Sequence, residues 1–226
     1  GTSGSIAYSA LAKPQYILST NSAVDLKTLA LTADTITGTQ LRGIPDGMGA
    51  YKNGKGGISL LTVHEVSSYS TLAQQSKSES AVWGTSITKM NISPNTKTVT
   101  SASDFLKQVS FYNYTKGLYQ NTPIGGAPAG TTKGFDWNIS RFCSATLVQA
   151  GKLSYSAGGK TYGYEDPIFL SGEEDGDSGY ARGFAFDMDG NGIQLPRMGT
   201  ASWENIMPNL KPGMKTVVLG SEDGSA

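Results

Sequence analysis

Pro167-Ile168-Phe169-Leu170-Ser171-Gly172-Glu173-Glu174-Asp175-Gly176-Asp177-Ser178-Gly179 is followed by the alternating run Tyr180 to Phe186. An apolar run leads into four carboxylates, those of Glu173, Glu174, Asp175 and Asp177, and a second strand-like run leads out. The segment reads as two strands joined by an acidic connection. Carboxylates this close repel one another unless water surrounds them or cations sit among them. Two readings stand: an acidic hairpin tip in solvent, or one wall of a metal site at a strand end.

The same alternation of short apolar runs and turn residues extends in both directions. Downstream, Asp187-Met188-Asp189-Gly190-Asn191-Gly192 reads as a hairpin tip and Thr216 to Gly220 as a buried strand. Upstream, Ala157 to Lys160 is a turn, and Asp136 to Leu147 is a structured run containing Cys143. Ser101 to Val109 reads as a helical turn capped by Ser101 or Ser103. Ala81 to Ile92 alternates like a strand. Lys52 to Gly57, with its Asn-Gly pair, turns the chain into Ile58 to Val66, a buried strand. Asp25 to Thr39 reads as a strand pair or a loose helix, and Tyr16 to Thr20 as a short strand. No long helical periodicity occurs. The expected fold is all-β, a sandwich or a propeller of short antiparallel sheets. Residues 1–40 form an arm with the first strands, and 41–226 form one domain that is not expected to close within this chain.

Composition narrows the function classes. Charge is balanced, 18 basic residues against 18 acidic, with no basic stripe, so nucleic acid is an unsuitable partner. No apolar run is long enough for a membrane span. The single cysteine, Cys143, excludes an internal disulfide framework. The start, Gly1-Thr2-Ser3-Gly4-Ser5, lacks Met and reads as a processed end or a cloning scar. Sequons stand at Asn91, Asn113 and Asn138, relevant only in a eukaryotic secretory host.

His64 and Glu65 end the buried strand. Glu65 can project from it as a metal ligand, with His64 behind it or acting as a general acid; a strand end meeting water accounts for the same pair. One histidine cannot build a His-rich zinc site, so a metal here is held mainly by oxygen, which suits Ca²⁺, Mg²⁺, Mn²⁺ or Fe³⁺. Asp187 to Gly192 matches the front half of a calcium loop, but Met198 stands where its last ligand belongs, so a β-turn is expected. Cys143 reads as a buried thiol, with a metal thiolate as the alternative. Gly176-Asp177-Ser178-Gly179 resembles the nucleophile segment of trypsin-like proteases, with His64 earlier in the chain.

Several segments in one order resemble the PhoX-like bacterial alkaline phosphatases. They are Gly43 to Ala50, Leu60 to Glu65, Arg141-Phe142-Cys143-Ser144-Ala145, Ser171 to Gly176, Gln194 to Gly199 and Ser202-Trp203-Glu204-Asn205. The resemblance implies a secreted or periplasmic β-propeller, matched over its N-terminal portion, that holds calcium and iron ions and hydrolyses phosphate monoesters. It implies Glu65, Glu173, Glu174, Glu204 and Asp46 as metal ligands, and Arg141 and Arg197 as contacts to phosphate. In those phosphatases a Thr-Cys-Glu-Glu segment sets a cysteine before the glutamates; here Gly172 stands there, as in a cysteine-lacking branch. Ca²⁺ is therefore expected ahead of Fe³⁺. The alternative is a non-catalytic extracellular scaffold, stabilised by Ca²⁺, that associates with itself or with another chain through open sheet edges.

Overall fold

The computed structural model describes residues 17–54, 56–66, 76–77, 83–114, 116–121, 138–174 and 181–224. The strands, numbered in chain order, begin with β1 (Thr35–Ile36), β2 (Thr39–Gln40), β3 (Ile44–Lys52) and β4 (Ile58–Glu65). Next come β5 (Ser76–Lys77), β6 (Trp83–Gly84), β7 (Ile87–Ser93), β8 (Thr98–Asp104), β9 (Gln108–Asn113) and β10 (Leu118–Asn121). They continue with β11 (Asn138–Ile139), β12 (Phe142–Val148), β13 (Leu153–Ala157), β14 (Lys160–Tyr164) and β15 (Ile168–Glu173). The last are β16 (Gly183–Phe186), β17 (Asn191–Gln194), β18 (Trp203–Pro208) and β19 (Val218–Glu222). Among the described residues there is no α-helix, and the fold is all-β as expected. Among the described residues no helix is long and apolar enough to cross a membrane.

Two sheets carry the architecture. One has four strands in the order β3-β4-β7-β8, the other six in the order β10-β9-β17-β16-β15-β12. Neither closes on itself. Most pairings are antiparallel, but β17 runs parallel to β9, and β11 parallel to β6. The two large sheets share a core of Leu61, Val63, Ile87, Val109, Phe111, Phe142, Phe169, Phe184 and Phe186. Each phenylalanine buried there contributes about 1.5–3 kcal/mol. The strand pleat explains why both faces of the six-stranded sheet are covered. Phe169 and Phe184 enter this core, while their neighbours Leu170 and Ala185 enter a second one. There they meet Ile206, Trp203 and Val218 of the β18–β19 hairpin.

The layers approach closely where side chains are missing. A Cβ on Gly47 of β3 would lie 2.0 Å from the Ala145 backbone nitrogen of β12, and one on Gly49 would lie 2.5 Å from Leu147 Cβ. A Cβ on Gly172 of β15 would lie 2.5 Å from Trp203 Cβ of β18. Glycine therefore draws β3 onto β12 and β18 onto β15.

Four expectations change. Ser101 to Val109 is not a helical turn: its first part extends β8 and its last residues begin β9, because pairing with β7 gives Ser101, Ala102, Ser103 and Asp104 ladder partners. Asp25 to Thr39 forms a strand pair only at its end, where β1 pairs with β2, which begins at Thr39. The apolar run near the C-terminus forms β19 without being buried, since Val217 and Leu219 face out from a two-stranded hairpin. The expected strand at Tyr16 to Thr20 does not form over residues 17–20, and Tyr16 lies outside the described residues.

Candidate metal centre

Five strands bring their ends or irregular points together at one place. Asp46 comes from β3, Glu65 from the end of β4, Cys143 from the start of β12 and Glu204 from β18. Glu174 is the first residue after β15. The ladder explains the convergence. Phe142 pairs with Glu173, so the start of β12 lies beside the end of β15. Ile44 pairs with Glu65, so the start of β3 lies beside the end of β4.

Three of these side chains stand at breaks in strand register. β3 shifts between Pro45 and Met48, β12 between Phe142 and Ala145, and β18 between Trp203 and Asn205. Asp46, Cys143 and Glu204 fall inside those three intervals. A bulge adds a residue on one strand and re-aims its side chain, which a regular pleat would send to a fixed face.

The result is two overlapping groups of donors. Ligand atoms of Asp46, Glu65 and Cys143 lie within 4.8 Å of one another, and so do those of Cys143, Glu174 and Glu204. Cys143 belongs to both. Its thiol, 8% exposed, donates to Asp46 Oδ2 at 3.1 Å and stands 4.0 Å from Glu65 Oε1. Burial pushes this thiol well above its ordinary pKa, and Asp46, Glu174 and Glu204 push the same way. Burial also raises the Glu174 carboxyl. The Cys143 thiol and Arg141 oppose that rise, and Glu204 and Glu65 add to it.

Arg141 supplies positive charge at the rim. Its Nε donates to Glu65 Oε2 at 2.9 Å, and its Nη2 lies 3.3 Å from Glu174 Oε2. The backbone of Arg141 is left-handed, with φ +29°. It is fixed by its N–H to the Val66 carbonyl and by its carbonyl accepting from the Glu174 N–H.

Not every expected ligand is here. Glu173, 2% exposed, lies outside both groups, and its oxygens are already engaged. Arg182 donates to them from Nε at 2.7 Å and from Nη2 at 2.8 Å, and the backbone N–H groups of Ser140 and Arg182 each donate at 2.8 Å. The Arg182 guanidinium in turn lies over the rings of Phe111 and Phe184. Glu173 is a structural anchor. Arg197 is exposed on the single turn Pro196–Met198 and its charge acts on Tyr119, so the structure does not bring it to the group. His64 is buried away from the donors and shares a hydrogen bond with Thr88 Oγ1 at 2.8 Å. Burial holds its pKa down at about 4. The Asp187 carboxylate accepts from the Asp189 and Asn191 N–H groups and from the Asn191 side chain, which is the expected turn. Asp175, Asp177 and Ser178 lie outside the described residues, so neither the acidic tip nor the protease-like serine is seen.

The sequence leaves the role of Cys143 open between a core thiol and a ligand. One signal for the second was available. It is weak, because alternation alone sends Cys143 to the face opposite Phe142, and the register break between Phe142 and Ala145 that re-aims the thiol is not written in the local sequence.

The donor set is chemically coherent for a cation. Four carboxylates surround one thiol, with one guanidinium to offset them, and a buried oxygen of Glu174 has no hydrogen-bond partner. An ion would use that oxygen and would lower the pKa of the thiol toward the thiolate. Comparison of the chain with protein-family models, with curated proteins and with solved structures finds no match in any of the three.

Proposed function

We propose that the chain is a metal-dependent phosphoesterase acting on phosphate monoesters, or a part of one, with its ion held by Asp46, Glu65, Cys143, Glu174 and Glu204. The observation that carries this reading is the coincidence of three register breaks with three of the five donors. Sheet irregularity concentrated at one point marks a site whose side chains were aimed at something. The ordered motifs of the PhoX-like phosphatases give the reaction class. In that reading the present sheets belong to a propeller, and the protein works outside the cytoplasm. A bound ion supplies Lewis acidity toward a phosphoryl oxygen. Arg141 contributes a planar fork of N–H donors that matches two oxygens of a phosphate. A thiol among the carboxylates favours iron or zinc over Ca²⁺, which takes oxygen donors.

The test is metal analysis of the purified protein together with an aryl-phosphate assay, on the wild type and on Glu174→Gln. Metal near stoichiometry, with turnover lost in the variant, is the expected result. Metal-free protein without turnover would overturn the reading.

A second reading keeps the ion and drops the chemistry: an extracellular scaffold that uses Ca²⁺ for rigidity and associates through its edges. It is favoured by the open sheets and by the exposed pair Met207 and Leu219 on the outer side of β18–β19. Stoichiometric Ca²⁺ with no turnover, and association that depends on Ca²⁺, would select it.

A further inference from the structure

Arg141 reaches one carboxylate from each of the two overlapping donor groups. Glu65 belongs with Asp46 and Cys143, and Glu174 belongs with Glu204 and Cys143. The guanidinium is thus a cation the cluster already contains. Its two carboxylate contacts are unequal, and a third, long contact runs from Nη1 to the Glu174 backbone carbonyl at 3.5 Å. The Nε to Glu65 Oε2 contact is a hydrogen bond of 2.9 Å. The Nη2 to Glu174 Oε2 contact is longer, at 3.3 Å, and that oxygen is buried without a hydrogen-bond partner, on a side chain only 7% exposed.

Two further facts give the arginine room to move and a reason to stay near. Its side chain is 41% exposed, so the fork opens to solvent. Its backbone is held in the left-handed region by the hydrogen bonds to Val66 and Glu174, neither of which involves the side chain. Left-handed backbone is costly for a residue with a long side chain and persists where its surroundings impose it.

We infer that Arg141 is a tethered counter-cation which a metal ion displaces from Glu174, and that the freed guanidinium fork then binds the oxyanion of a phosphate. The inference rests on the metal-site reading and adds to it the order of events and the coupling between ion and anion. An ion that takes Glu174 Oε2 competes directly with Nη2. Like charges then repel across a short, partly desolvated gap. The bond from Nε to Glu65 keeps the base of the fork in place while its outer edge swings toward solvent. Ion pairs to exposed guanidinium groups are weak, so the displacement costs the ion only a few-fold in affinity.

The test is titration calorimetry on the full chain with Mn²⁺ alone, then with inorganic phosphate at saturating Mn²⁺. Wild type is compared with Arg141→Gln, Arg141→Lys and Glu174→Gln. With the competitor removed, Arg141→Gln should bind Mn²⁺ about two- to fivefold more tightly. The same variant, once loaded with Mn²⁺, should bind phosphate at least about tenfold more weakly. Arg141→Lys should restore wild-type Mn²⁺ affinity and only part of the phosphate affinity. A residue that merely supported the fold would instead weaken Mn²⁺ binding on substitution, and a residue that touched only phosphate would leave it unchanged. Either result in Arg141→Gln overturns the inference, even if Glu174→Gln loses Mn²⁺ and so upholds the metal site. Wild-type protein that binds no Mn²⁺ overturns both. Should Arg141→Gln not fold, Arg141→Asn, which tolerates left-handed backbone, poses the same question.

Discussion

Glu173 and Glu174 are adjacent in the chain and share no side-chain partner. Glu173 closes a two-pronged ion pair with Arg182, whereas Glu174 faces Arg141 among the donor groups. Their substitutions should therefore separate. Glu173→Gln removes the buried carboxylate that holds both Nε and Nη2 of Arg182 and is expected to cost about 3–5 kcal/mol of stability. Glu174→Gln relieves crowding among carboxylates and should change stability by less than about 1 kcal/mol, while metal binding falls by at least tenfold. Urea unfolding and metal analysis of the two variants check this, and equal losses of stability would refute it.

A cysteine does not fit at position 172 without displacing its neighbours. Gly172→Cys places a side chain where Trp203 already lies, with 2.5 Å between the two Cβ atoms. The expected cost is about 1–3 kcal/mol, from β18 being forced off β15. Because Glu204 rides on β18, metal affinity should fall as well. Thermal unfolding and metal titration of the variant decide it; a gain in metal content would contradict the packing.

How much of this was legible beforehand depends on which physical rule was in force. Alternation and turn chemistry make β4, the β13–β14 hairpin and the Asp187 tip readable, because local sequence specifies them. The three bulges leave no such trace, so the sequence places Glu65, Glu174, Glu204 and Asp46 among the candidates without showing that Cys143 joins them. It also does not show which of two adjacent glutamates faces the donors, since the partner of Glu173, Arg182, lies nine residues on, just before β16. The C-terminal run is apolar enough to suggest burial, but its hairpin has only one covered side. Ser101 and Ser103 suit a helix cap, and the neighbouring strand β7 overrides that preference.

The only histidine should leave a signature in acid. His64 is 1% exposed and neutral, with its pKa held by burial at about 4, against about 6.5 in the unfolded chain. The unfolded state therefore binds the extra proton first. Stability is full above about pH 6.5 and falls as the pH drops toward 4, by up to about 3 kcal/mol from this group. Below about pH 4 the folded form is protonated too and the contribution stops changing. Unfolding by urea at pH 7 and pH 5 measures the drop, and His64→Gln should flatten it.

Cys143 should be slow in thiol–disulfide exchange. Its thiol is buried, donates to Asp46 and is held above its ordinary pKa, so little thiolate is present at pH 8. An aromatic disulfide reagent should label it at least about a hundredfold more slowly than a free thiol in the native protein and at the ordinary rate in guanidinium. Prompt labelling of folded protein would argue against the burial described.

The donors around Cys143 come from far apart along the chain. Asp46 is 97 residues from it and Glu65 is 78. An unfolded chain holds such groups at distances no ion can bridge, so loading follows folding and cannot guide it. Whatever affinity the centre has is then expressed wholly as stability of the finished fold, about 2.7 kcal/mol when free ion stands at a hundred times its dissociation constant. Ion supply then acts as a timer: the chain folds first, and the free ion around it sets when it becomes resistant.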